Sequence, residues 1–391
     1  MVCLVEHSKS ELKFVAIHLG ASNSEITEDS KRLAQRICKD ALLNLDSEKE
    51  PSQDTCKNPE CLRMVVKPYV QSTAELAAIG IVKMMEDVAT LNCGSGSNLN
   101  LDGRVECDAS MMRNRDSAYA GVGAVSGCRN PIKLVESLIC HRSISRPMGL
   151  LQPNLIVGSS GCKTWMRKHC PALMCNDSEL ISPKSLCSYQ KYKSLYDAGN
   201  RDSLLEQHSE ACHPSFDTVG AIAIDGDNNI ACATSSGGIA LKHKGRLGQA
   251  SIIGAGCWTE GQVAATTSGA GEILTINLLA KKVCDELRSA DLGEGQLMTR
   301  VIDAKLSECL RDVVNSPKHE QFHPSQRVVG SLAIFAPRDN EFYLSLAHTS
   351  KSMCAAYMVN GHQDATSLDP TNLSTASNLD LIKSSTVRIL P

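Results

Sequence analysis

Apolar positions along this chain follow two rhythms. Short apolar or alternating runs predict strands at KFVAIH (13–18), VECDASMM and AYAGVGAVSG, and later at VGAIAID, NIACATSS, VVGSLAIFA, EFYLSLA and CAAYMVN, with turns such as GDN and PRDN between them. A four-residue rhythm through Leu33, Ile37, Ala41 and Leu45 predicts a helix over about 27–45. Ser72 and Glu75 form a capping-box pattern that opens a helix at AELAAIGIVKMME. Asn130 as cap and Pro131 as first residue open another at IKLVESLIC. Two more helices are read at 272–287 and roughly 295–314. Residues 46–68 read as a loop and 361–391 as a loose tail, within which DLIKSSTVRIL can return as a strand. Residues 163–216 are polar, rich in Cys, Ser and Lys, and without sustained periodicity; they read as a flexible connector. Strands and helices on both sides of it, with no internal repeat, predict an α+β chain of two stacked sheets covered by helices.

Composition narrows the partners. The 391 residues carry 40 basic and 43 acidic side chains, a net charge of -3, which gives no electrostatic case for nucleic acid or an anionic membrane. No run approaches the ~20 apolar residues of a membrane span. Aromatics are only 4%, so the core must lean on Ala, Val, Ile, Leu, Met and Cys. The opening MVCLVEHSKSELKFVAIH shows no basic stretch followed by a long apolar one, so an intracellular, non-secreted protein of cytoplasm or nucleus is expected. In that setting the eighteen cysteines are not a disulfide framework: Cys107, Cys128, Cys232 and Cys354 read as small reduced core residues. Cys56/Cys61 and Cys170/Cys175 are the closest pairs, but zinc spacing usually comes as two matched pairs, and neither a metal nor another cofactor is expected.

Candidate chemistry concentrates between residues 217 and 272. Thr218 stands on a strand edge directly after Asp217, and the Ser235-Ser236-Gly237-Gly238 turn returns the chain beside it. Arg246 follows in a Gly-Arg-x-Gly loop, where a guanidinium can grip a carboxylate bidentately. TTSGAGE (266–272) is a glycine turn whose N–H groups, with the Ser268 hydroxyl, can receive an oxyanion. If the Thr218 hydroxyl attacks the Asp217 carbonyl, the amide becomes an ester that water then releases. The freed α-amino group, with a pKa of roughly 7.7–8.0, can serve as general base to its own hydroxyl. Each fragment alone has a plainer reading, as strand residue, ordinary turn or surface arginine; their order carries the argument.

Taken together, TVGAIAID, ATSSGG, K, GR, G, GAGCW and TSGAGE resemble the type-2 asparaginase family of N-terminal-nucleophile (Ntn) hydrolases. VAIHLGAS resembles the family's HAGAG opening, with Leu19 and Ser22 as departures, and LNCGSGSNLNLDGRVECDASMM with GVGAVSGCRNPI resembles the segment before the connector. The resemblance spans roughly residues 13–160 and 212–360. It implies a four-layer αββα sandwich made by an α-subunit half (1–217) and a β-subunit half (218–391), with Thr218 as nucleophile in self-cleavage and catalysis. Ser236 would orient the amine, Arg246 bind carboxylate, and Ser268 and Gly269 form the oxyanion hole. Gly271 would line the substrate pocket and Asn92 support the nucleophile loop, where Cys93 departs from the usual alanine. Within the family the chain is most similar to the endopeptidase branch, the threonine aspartases. Asp217 precedes the nucleophile, Ser236 replaces the usual threonine, and Gln249 stands where asparaginases hold an aspartate for the substrate's α-ammonium. The likeness implies cleavage of protein substrates after aspartate, nuclear regulators such as trithorax-type chromatin factors and transcription factor IIA among them. It also implies a dimer of the cleaved α/β unit. The alternatives are an L-asparaginase or isoaspartyl peptidase acting on small substrates, a glycosylasparaginase, and a scaffold that never cleaves.

Overall fold

The computed structural model describes residues 5–7, 10–22, 26–44, 69–142, 144, 146–199, 218–290, 297–338, 341–368 and 382–390. Asp217 and the loop read at 46–68 lie outside the described residues. The first half contributes β1 (Val5–His7), β2 (Leu12–Ser22), α1 (Glu28–Asn44), β3 (Tyr69–Gln71), α2 (Thr73–Glu86), β4 (Cys107–Arg113), β5 (Tyr119–Val125), α3 (Pro131–His141), β6 (Leu155–Val157), α4 (Ser159–His169) and α5 (Pro183–Asp197). The second contributes β7 (Val219–Asp225), β8 (Ile230–Ser236), β9 (Cys257–Glu260), β10 (Val263–Gly269), α6 (Gly271–Asn277), α7 (Leu279–Arg288), α8 (Met298–Val314), β11 (Val329–Arg338), β12 (Glu341–His348), β13 (Ser352–Val359), β14 (Thr366–Leu368) and β15 (Lys383–Ile389).

Mixed helix and sheet in this order make an α+β fold with two main sheets. One has eight strands in the order β14-β13-β2-β7-β8-β4-β5-β6, the other five in the order β15-β12-β11-β10-β9. Strand alternation decides which side chains face which layer. On β2, Phe14 and Ala16 point to the second sheet while Val15 and Ile17 point to the helices. On β7, Ile222 and Ile224 take the inner face, and Val219, Ala221 and Ala223 the helix face. Three large buried clusters follow, one between the large sheet and α1, α2 and α3, one between the sheets, and one between the small sheet and α7 and α8, beside a small fourth around Leu99, Val105, Cys107 and Leu180. Phe14 and Phe342 meet at 5.6 Å between ring centroids across the inter-sheet core. Truncating Phe14 to alanine there would cost about 3–5 kcal/mol.

Several sequence expectations meet the structure directly. Ser72 caps α2 in a full capping box with Glu75, whose carboxylate also pairs with the buried Arg113 at 2.7 Å. Cys107, Cys128, Cys232 and Cys354 are free and buried. No helix among the described residues is long and apolar enough to cross a membrane.

Others need correction. The stretch read as an aperiodic connector holds α4 and α5. Their buried stripes are thin, Cys162 and Met166 on one and Ser185 and Tyr192 on the other, so little apolar rhythm shows in the sequence. The segment read as a loose tail contains β14, which was not foreseen, and β15, which falls within DLIKSSTVRIL, the stretch read as able to return as a strand, and pairs along its length with β12. The helix read over 272–287 is two, parted where Leu278 turns left-handed at φ 46°. Strand β9 is only four residues long (CWTE), and β10 (VAATTSG) is built largely from Ala, Thr, Ser and Gly, so neither gave a bulky alternation to read.

Candidate active site

Thr218 immediately precedes β7 and, by strand alternation, shares the inner face with Gly220, Ile222 and Ile224. It is buried, at 2% exposure. A Cβ on Gly220 would lie 2.2 Å from His18 Nε2 and 2.8 Å from Thr266 Cβ, so glycine is what lets β2 and β10 close around the strand start. His18 faces the Thr218 backbone, yet neither ring nitrogen has a hydrogen-bond partner. Burial depresses its imidazole to about 3, only partly countered by the Thr218 backbone, so it stays neutral.

Three residues hold the threonine. Its amide N–H donates to Ser268 Oγ at 3.2 Å, and that oxygen also accepts the Ala21 N–H at 2.9 Å, tying β7 and β2 to the end of β10. Its hydroxyl donates to Ser236 Oγ at 3.1 Å and accepts from Gln249 Nε2 at 2.8 Å. With Gln249 on a lone pair, the hydroxyl proton is directed to Ser236. The Thr218 hydroxyl oxygen is thereby oriented while the Thr218 nitrogen, in the uncut chain, is a non-basic amide. Hydroxyl, second hydroxyl and the nitrogen that cleavage would free are already assembled, so only the nitrogen's chemistry has to change.

Ser236 ends β8, where its oxygen accepts the Gly238 N–H at 3.0 Å. Asn92 clamps that turn: its Nδ2 donates to the Gly238 carbonyl at 2.9 Å, and its own carbonyl accepts the Gly237 N–H at 2.8 Å. A Cβ on Gly237 would stand 2.5 Å from Asn92 Oδ1, so the clamp requires glycine. Asn92 therefore reaches the Ser236 turn rather than Thr218 itself.

The remaining expected residues are grouped but not all engaged as expected. Arg246 forms a bidentate pair with Glu272, Nε to Oε1 at 2.8 Å and Nη2 to Oε2 at 2.7 Å. This pairing, across 26 residues, gave no sequence signal. Burial raises the Glu272 carboxyl, but the Arg246 hydrogen bonds and charge outweigh it and hold the group below its usual range. Gly271 lies between Arg246 and Gln249, since a Cβ there would be 2.8 Å from Nη2 and 3.0 Å from Gln249 Oε1. Gly269 takes φ +140°, and a Cβ on it would meet the Val328 carbonyl at 2.2 Å. Gln249, read as facing the substrate's α-ammonium position, has its amide on the Thr218 hydroxyl oxygen. Ser268, read as an oxyanion donor, presents its oxygen to the Thr218 nitrogen.

Sequence reasoning missed Asp108. Fully buried and opposite Ser236 in the β4–β8 register, it accepts Ala124 N–H at 2.8 Å on one oxygen and Gly248 N–H at 2.7 Å on the other. It thus braces the loop between Arg246 and Gln249 from below. An acid inside a run of small and apolar strand residues (Asp108 in CDASMM) was the available signal. Among the described residues no three His, Cys, Asp or Glu side chains are grouped so as to hold a metal ion.

Comparison with known proteins places this geometry. The asparaginase family model Asparaginase_2 matches residues 43–313, spanning all the residues above from Asn92 to Glu272. An isoaspartyl peptidase/L-asparaginase of Macaca fascicularis is 33% identical over 236 residues, 58% of this chain and 69% of that protein. The protein of the same description from Bos taurus is 33% identical over 205 residues, 52% of this chain and 60% of its own length. A plant-type L-asparaginase of Pyrobaculum calidifontis is 27% identical over 282 residues, 70% of this chain and 79% of its own. The chain belongs to the asparaginase family, within the Ntn-hydrolase superfamily.

Proposed function

We propose that this chain folds as the four-layer αββα Ntn sandwich and cleaves itself between Asp217 and Thr218, and that the freed Thr218 then cuts protein substrates after aspartate. The observation that carries the nucleophile assignment is the Thr218 hydroxyl held between Ser236 and Gln249, with Ser268 on its nitrogen. In self-cleavage the Thr218 oxygen attacks the Asp217 carbonyl carbon while Ser236 takes its proton and gives up its own hydroxyl proton, which is relayed to the departing Thr218 nitrogen. The C–N bond breaks as the nitrogen takes up a proton, and water hydrolyses the resulting ester to leave an Asp217 carboxylate and a Thr218 α-amine. That amine, in its neutral fraction, then removes the hydroxyl proton during attack on substrate. Gly269 and its neighbours at the end of β10 are assigned to the oxyanion.

The two pieces are expected to remain one unit. Strands from both sides of the cut alternate in the large sheet, with β13 and β7 on either side of β2 and β8 on β4, so separation would break three ladders. Dimerisation of that unit is proposed from the family likeness alone.

Gln249 favours an endopeptidase. A neutral amide donating to Thr218 offers no anion for the α-ammonium of a free amino acid, whereas an internal peptide has none to satisfy. The relatives' names favour the second reading, an isoaspartyl peptidase or L-asparaginase acting on small substrates. Electrophoresis tests the first step: wild type should yield two fragments, the smaller beginning Thr-Val-Gly-Ala, and Thr218→Ala should stay whole. A wild type that remains intact on long incubation overturns self-cleavage. An internal-aspartate peptide assayed beside L-asparagine and a β-aspartyl dipeptide then separates the two readings. Gln249→Asp should shift turnover toward the small substrates.

A further inference from the structure

Arg246 engages Glu272 through Nε and Nη2, one edge of its guanidinium, and its Nη1 makes no hydrogen bond with the described residues. Nη1 lies between Gly238 and Gly248: a Cβ built on Gly238 would lie 2.9 Å from it and 3.3 Å from Nζ of Lys242, and one on Gly248 3.0 Å from it. Two cationic groups therefore converge on one small volume beside the turn that carries Ser236. Lys242 is only 2% exposed, which is unusual for an ammonium that is not paired. Its hydrogen-bond partner is the Glu106 backbone carbonyl, and among the described residues no carboxylate oxygen lies within salt-bridge distance of it. The neighbouring acids are turned elsewhere. Glu106 accepts from Asn100 Nδ2 and the Gly245 N–H, and Asp108 from Ala124 and Gly248. Burying an ammonium against a single neutral acceptor is costly, and a carboxylate beside Gly238 would offset that cost.

We infer that Lys242 is the second cation of the substrate's carboxylate site, and that the carboxylate sits beside Gly238, bridged between Arg246 Nη1 and Lys242 Nζ. Glu272 is then a positioning residue, fixing the guanidinium by its far edge so that Nη1 faces inward. The turn must carry glycine at 238 because any side chain would fill the carboxylate's place, besides being strained at φ +69°. This inference rests on the reading of Arg246 as the carboxylate anchor.

The test measures kcat/KM of the mature protein on substrate pairs that differ only in the recognised carboxylate: a peptide with aspartate or asparagine at the cut, and L-asparagine or its α-amide. Lys242→Met should lose at least about ten-fold of the preference for the carboxylate-bearing member, mostly through KM, and Lys242→Arg should recover part of it. Arg246→Met should lose the preference as well. If Arg246→Met abolishes it and Lys242→Met leaves it whole, the inference is overturned and the Arg246 reading stands. If neither change moves it, or wild type shows no preference on either pair, both are overturned. Should Lys242→Met fail to fold, Gly238→Ala puts a methyl in the same place and must give the same loss of preference; a preference left intact in that variant overturns the inference.

Discussion

Ser235 and Ser236 are adjacent on β8, both buried, and belong to different worlds. Ser236 faces the second sheet, where its oxygen receives the Thr218 hydroxyl and the Gly238 amide. Ser235 faces the helices and donates to Glu86 Oε1 at 2.7 Å. Each serine has a fully buried acid nearby. Asp108, on the site face, has a backbone amide on each oxygen. Glu86, on the helix face, accepts Ser235 and the Ile132 N–H on Oε1 and has no partner on Oε2. Burial pushes the Glu86 carboxyl up to about 8, against the hydrogen bonds from Ser235 and Ile132 that pull it down. The contrast teaches that one strand end serves two purposes. Its inner face is satisfied throughout and aims a reacting group, while its outer face keeps a neutral acid under the sheet.

The comparison breaks most visibly at Ser236. Ser236→Ala removes the acceptor for the Thr218 hydroxyl proton without opening a large cavity. Self-cleavage and substrate turnover should each fall by about 10²–10⁴-fold, the usual range for a lost proton-transfer partner, with Tm little changed. Timed electrophoresis and peptide hydrolysis check this. A variant that matures at the wild-type rate would show that the contact is incidental.

Glu86 supplies the next largest effect, on stability and with a defined sign. Its carboxyl is raised from 4.5 to about 8 on folding, so the folded state holds a proton that the unfolded chain releases above 4.5. The stabilisation is complete below pH 4.5, declines as pH rises, and is gone above about 8. Replacing the acid by the isosteric Glu86→Gln removes that slope. The variant should gain roughly 3–5 kcal/mol over wild type between acid pH and pH 9, read by denaturant unfolding at several pH values. Parallel curves for the two proteins would place the Glu86 proton elsewhere.

Asp108 tests the site face in the same units. Asp108→Asn turns an amide NH₂ toward one of the two N–H donors, leaving that donor unsatisfied in the interior. About 1–3 kcal/mol of stability should be lost. Because Gly248 lies between Arg246 and Gln249, kcat/KM should also fall by about ten- to a hundred-fold. Unfolding and steady-state rates measured on the same preparation check whether the two losses come together.

These contrasts bear on how much could be read in advance. The sheet cores were legible where bulky residues alternate, as on β7 and β11, and the Thr218 to Ser236 spacing fitted a hairpin because Asp225 and Asn229 close the turn between them. Strand β10 was not, because small residues fill it where the sheets approach, nor was the four-residue β9, too short to alternate, and α4 and α5 were not, because each buries only two side chains. The identities of Thr218, Ser236, Ser268, Arg246, Gln249 and Gly271 were legible as a group, and the structure brings them together. Their partners were not. The Glu272 pairing, the Gln249 amide on Thr218 and the Asp108 brace depend on loop paths between residues 237 and 256 that no periodicity specifies. Gly254 and Gly256 shape those paths; a Cβ on Gly256 would meet the Gln249 carbonyl at 2.6 Å.

The smallest expected effect is the sharpest test of the two-faced strand. Ser235→Ala lies one residue from Ser236 and removes a comparable hydroxyl, but on the side away from Thr218. It takes from Glu86 Oε1 one of its two donors, leaving the Ile132 N–H. Stability should fall by about 1–2 kcal/mol, near the worth of a buried hydrogen bond to a carboxyl group. With a downward pull removed, the Glu86 carboxyl should titrate higher still, carrying the pH-dependent loss of stability to higher pH. Self-cleavage and substrate turnover should stay within about two-fold of wild type, since nothing on the inner face has changed partners. A loss of turnover comparable to that of Ser236→Ala, with the fold intact, would mean that the helix face reaches the nucleophile through the strand, and Glu86 would then belong to the site.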